Sequence, residues 1–204
     1  VPVPTVTRDY DGLQLAITAA ADGKRENSAL LIRYKLSNAT KQQREGDLVL
    51  AIRPFQGNPP YQWLNAAGGV ARVAHIDTAV KPSNTIHVDD RIVALSERPS
   101  DVGCSAFDDG DVSTFMAAGR TPPRSSVNDP QHAASGAAKY HFELGPGETR
   151  ELAVCVPFST DPIKQLSVTR PFLSAPDPIT YLHEREQAIV ESWRAAVSTF
   201  DLML

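Results

Sequence analysis

Five histidines, His75, His87, His132, His141 and His183, are the side chains best suited to acid–base or metal chemistry near neutral pH. Their spacing gives them no shared site. None stands in an HxH, HExxH or CxxC-type arrangement, and Cys104 and Cys155 are 51 positions apart, so no zinc centre is expected. His75 and His141 fall on strand-like runs, where a polar face or a hydrogen-bonded core position accounts for them. There is no GxSxG, no P-loop and no GxGxxG, and Ser135-Gly136 does not form a nucleophile elbow. No catalytic residue is assigned and no cofactor is expected. The densest carboxylate cluster is Asp108, Asp109 and Asp111. Calcium takes several oxygens from one loop, but these three acids lack the EF-hand ligand order. A turn followed by a helix that Asp111 caps explains the same residues.

The aromatic loop offers a different chemistry. Asn58-Pro59-Pro60 stiffens a segment that carries Tyr61 and Trp63, whose faces can stack on the apolar C–H face of a pyranose. The same rings can plug the end of a sandwich or meet a partner domain, as large aromatics commonly do. Both readings stay open. Cys104 and Cys155 sit in apolar surroundings and read as buried thiols. A disulfide between neighbouring strands also remains open, and two cysteines do not fix the redox compartment.

The elements that must position these residues are strands. Leu48, Leu50 and Ile52 face one way and Val49 and Ala51 the other, which predicts a strand covered on both faces in the middle of a sheet and ended by Pro54. Before it, Val3 to Arg8 predicts an edge strand, and Leu13 to Thr18 and Ala29 to Leu36 alternate as strands, with a turn at Asp22-Gly23-Lys24. After it come strand patterns over Arg72 to Val80, Ile86 to Ala94 and Val102 to Phe107, a short helix over 112–118, and a structureless loop over 121–135. Ala138 to Leu144 and Thr149 to Phe158 flank Gly145-Pro146-Gly147-Glu148, which predicts a hairpin. Four prolines between Asp161 and Pro178 predict an irregular wrapping linker. From Tyr181 on there are no breakers. Leu182, Ile189, Trp193, Val197, Phe200 and Leu204 predict one apolar stripe on a long amphipathic helix.

The fold class that follows is mainly β: a two-layer antiparallel β-sandwich over 1–160, a Pro-rich linker over 161–180 and a C-terminal helix over 181–204. The composition agrees. Sixteen prolines in 204 residues are about 8%, against a usual ~5%, which favours turns and short strands over a helical bundle. A net charge of −4 without a basic run argues against nucleic acid or an anionic membrane as partner. No apolar run reaches the ~18 residues that span a bilayer. The chain begins at Val1 without a signal-peptide pattern and stops on Leu202-Met203-Leu204, which suggests a piece excised from a longer protein.

The segments LAIRPFQGNPPYQWLNAAGGVA, FDDGDVSTFMAAGRTPP, ASGAAKYHFELGPGETRELAVCVPF and EREQAIVESWRAAV occur in this order. Together they resemble the supersandwich-like β-domain of large bacterial carbohydrate-active-like proteins. Those proteins also carry discoidin (coagulation factor 5/8 type C) domains and an (α/α)6 toroid resembling glycoside hydrolases. The resemblance covers most of the chain and is most specific over residues 52–64. It implies a non-catalytic accessory domain, placed outside the cytoplasm, whose end helix joins the sandwich to the toroid. Ile189, Trp193, Val197 and Phe200 would then dock on that neighbour, while Asn58, Tyr61 and Trp63 help bind carbohydrate. Two alternatives from other classes are a free-standing carbohydrate-binding module, which needs Tyr61 and Trp63 on an open platform, and a small mutarotase-like epimerase, which needs a histidine and a carboxylate converging in a cleft.

Overall fold

A computed structural model of the chain describes residues 2–56, 70–80 and 84–198. Among the described residues the fold is mainly β, with 46% strand and 24% helix, two antiparallel sheets and a long C-terminal helix, consistent with a β-sandwich. The chain forms two compact units, one made of Val1–Gly46, Arg91–Glu97 and Phe142–Leu204, the other of Asp47–Asp90 and Arg98–His141.

The first unit is built on five antiparallel strands in the order β1 (Thr5–Tyr10), β2 (Leu13–Lys24), β3 (Asn27–Asn38), β13 (Thr149–Pro157) and β9 (Arg91–Leu95). Asp11 and Gly12, at φ +53° and +79°, make the two-residue turn between β1 and β2 that suits the right-handed strand twist. The turn expected at Asp22-Gly23-Lys24 lies further on. β2 pairs with β3 through Lys24↔Asn27, and Gly23 stays in the ladder at φ +94°, where a Cβ would come within 2.2 Å of the Asn27 carbonyl oxygen. The pleat sends Ala29, Leu31, Ala153, Cys155 and Ala94 to one face, where they form a cluster with Phe172 and Leu182 of the helices. Leu36, Leu152, Val154 and Leu95 are buried toward the other.

In the second unit, β7 (His75–Asp77) pairs with β8 (Thr85–Val88) and β11 (Ser126–Asn128), while β10 (Asp101–Ser105) pairs with β12 (Ser135–Leu144), which is flanked in turn by β4 (Arg44–Ile52). A further short pair joins β5 (Phe55–Gln56) to β6 (Val70–Ala71). The two layers meet where fully buried Ile76 faces Cys104 and Gly136. The Cys104 thiol donates to the Ile76 carbonyl at 3.8 Å, and Gly136 leaves only 3.4 Å between a Cβ and Ile76 Cδ1. As expected, α1 (Val112–Ala117) starts on Asp111, whose carboxylate accepts from the Ser113 amide at 2.9 Å.

Four expectations are corrected. First, β4 is an edge strand among the described residues, with Leu48, Val49, Leu50 and Ile52 half-buried rather than central and doubly covered. An unbroken apolar run does not distinguish one full cover from two partial ones. Second, Ile86 to Ala94 is two strands, broken at Asp89-Asp90, with Asp89 at φ +50°; the loop over 121–135 likewise contains β11.

Third, Gly145-Pro146-Gly147-Glu148 is no hairpin. β13 pairs with β3 and β9, so these four residues turn a corner out of β12 into another sheet. Asn38, 1% exposed, holds the corner: its side-chain amide donates to the carbonyls of Gln42, Leu144 and Gly145 at 2.8, 2.9 and 3.0 Å. Fourth, the supposed linker contains helix α2 (Pro162–Ser174). Asp161 caps it, Pro162 takes the first helical position, where no donor is needed, and Pro171 falls only in the last turn. Its buried face is Gln165, Thr169 and Phe172, two of them polar, so no apolar stripe marks it. Gln165 is satisfied there, accepting from the Ile92 amide at 2.7 Å and donating to the Thr160 carbonyl at 3.1 Å.

Candidate functional site

Helix α3 (Pro178–Val197) starts on Asp177, whose side chain accepts from the Ile179 amide at 3.0 Å, with Pro178 at the first turn. Hydrogen bonds from the Thr180 hydroxyl and the Ile179 amide hold the Asp177 carboxyl below its ordinary range. The first turns are anchored apolarly. Leu182 is fully buried, Ile179 and Tyr181 pack on the same cluster, and Tyr181 meets Phe172 edge-on with centroids 6.3 Å apart.

Beside that contact runs an ion-pair network on the same face of β3 and β13. Arg33 grips Glu186 with two nitrogens at 3.2 and 3.0 Å and reaches Glu151 at 3.3 Å; His183 Nε2 lies 2.8 Å from the other Glu151 oxygen. Arg33 loses hydration here, yet the two carboxylates raise its pKa and keep it charged. Arg185 clamps Asp22 of β2 at 2.7 and 2.6 Å. Three side chains of little more than one helix turn, His183, Arg185 and Glu186, are thus tied to three strands.

Past this point the helix loses cover. Ile189 and Val190 are half-buried, and every residue from Glu191 to Ser198 is exposed. Trp193 and Val197 stand 49% and 56% exposed, among the most exposed large apolar side chains described. A shallow groove runs along one flank of Ile189 and Trp193, with Asp22, Lys24 and Arg185 in its wall, and a second lies between Trp193, Arg194 and Val197.

The remaining residues singled out from the sequence do not join this surface or lie elsewhere. Asn58, Tyr61, Trp63 and Phe200 fall outside the described residues. Asp109 pairs with Arg124 at 2.8 Å, and Asp111 caps α1 and pairs with Arg53 at 3.3 Å; among the described residues no group of three histidines, cysteines or acids is placed to hold a metal ion. Cys104 and Cys155 are free thiols, fully buried, and burial pushes them up to about 11 and about 12. Neither is a nucleophile at neutral pH. His141 meets Asp47 at 3.1 Å on an exposed strand surface.

The network residues Arg33, Glu151, His183, Glu186, Asp22 and Arg185 carry no motif. The one signal in the sequence is Arg33 in the run ALLIRYKL, where alternation puts it on the nominally wet face. Comparison with protein-family models and with curated proteins finds no match to this chain.

Proposed function

We propose that this chain is a non-catalytic accessory β-sandwich domain of a larger carbohydrate-active-like protein, and that α3 seats it on a helical, (α/α)6-like neighbour in the same polypeptide. The observation that supports this reading is the change along one apolar stripe: Leu182 is buried, Ile189 half-buried, and Trp193 and Val197 about half exposed. Apolar area left in water is worth ~25 cal/mol per Å² once covered, so a stripe continued past its own support favours a second surface. The acid–base chemistry belongs to the neighbour in this proposal. His183 and Glu151 are committed to anchoring the helix, and Asn58, Tyr61 and Trp63 assist in holding carbohydrate.

Hydrogen exchange tests the docking. Amides of residues 189–198 are followed in this chain alone and in the intact polypeptide. The proposal expects them to exchange about tenfold or more slowly when the neighbour is present. Equal exchange in both settings overturns it.

A further inference from the structure

The charges around the uncovered end of α3 narrow what it docks on. Trp193 is flanked by two exposed cations, Lys24 at the end of β2 and Arg194 on the helix itself, and neither enters an ion pair among the described residues. Three of the nearby carboxylates are already paired. Asp22 is clamped by Arg185, Glu186 by Arg33, and Glu26 pairs with Lys164. At 100° per residue Glu184 projects roughly 180° away from Trp193, while Glu191 stands three residues before Arg194, about 60° from it round the helix, and lines one groove with it. With Lys24 and Arg194 against the single carboxylate of Glu191, the rim of the apolar tip is net basic on a chain whose net charge is −4.

We infer that the surface covering Ile189, Trp193 and Val197 is an apolar helical face bordered by carboxylates, which pair with Lys24 and Arg194 at the edge of the contact. This rests on the docking reading above and adds the sign of the partner. Rim charges govern which partner is accepted and how salt affects the encounter, while the apolar centre supplies most of the affinity.

The test uses two designed helical peptides of about 20 residues, long enough to hold a helix, with one leucine stripe flanked either by glutamates or by lysines. Binding is read from Trp193 emission in a Trp63→Phe background. The glutamate peptide is expected to bind about tenfold more tightly than the lysine peptide, with the gap closing near ~1 M salt, where the screening length is ~3 Å. In the variant carrying Lys24→Glu and Arg194→Glu the preference is expected to reverse. Equal binding of both peptides, or a preference the double variant leaves unchanged, overturns the acidic rim and leaves docking intact. If neither peptide shifts the emission, the inference falls, and the exchange experiment decides the docking reading separately.

Discussion

The two halves of α3 share one stripe and differ in everything beneath it. From Ile179 to Glu186 the helix lies on a sheet that supplies an apolar floor and a set of fixed charges. From Glu191 to Ser198 it has the same amphipathic character and no floor. A helix of a few turns is marginal in water on its own propensity, so the first half must hold the second in place. The difference separates what the domain needs in order to fold from what it offers once folded.

That contrast can be broken most forcefully at Leu182. Leu182→Ala removes a fully buried side chain from the shared cluster, and we expect a loss of about 3 kcal/mol, read from the urea midpoint. Next comes Arg33→Met, which leaves Glu186 unpaired and Glu151 with only His183 in a partly buried setting. We expect about 2 kcal/mol, between the ~1 of exposed pairs and the 3–5 of fully buried ones. Trp193→Ala should change the stability of the isolated chain by no more than about 0.5 kcal/mol. A cost near that of Leu182→Ala would show that the tip is supported after all.

The smallest effect is at the Asp177 cap. Its folded pKa lies below the ordinary carboxylate value, so its contribution is present above that value and is lost as pH falls through the folded one. Exchange of the first α3 amides should quicken as pH drops from about 5 to about 2, after correction for intrinsic rates. Asp177→Asn, which caps without titrating, should abolish that dependence.

The β-rich class, the Asp111 cap and the stripe on α3 were legible because each rests on local periodicity or on a single strong capping residue. Helix α2 was not, because its inward positions include Gln165 and Thr169, and four prolines outweigh a buried polar face when only composition is weighed. The corner after Leu144 uses the same glycine and proline as a hairpin; what decides between them is Asn38, more than 100 residues upstream. The anchor was hidden for a related reason. Arg33 alternates onto a face that looks solvated, and only the later arrival of Glu186 turns that face into an interior.

The position of β13 has a consequence for how the chain assembles. It lies between β3 and β9 in the first unit although it follows both in sequence, and it pairs with β3 from Thr149↔Ser37 to Pro157↔Ala29. The β2–β3 hairpin can form early, since its contacts are local, but closing the sheet must wait for a strand more than 100 residues downstream. During synthesis the outer edge of β3 therefore waits with unsatisfied backbone groups, a template for pairing with another nascent chain.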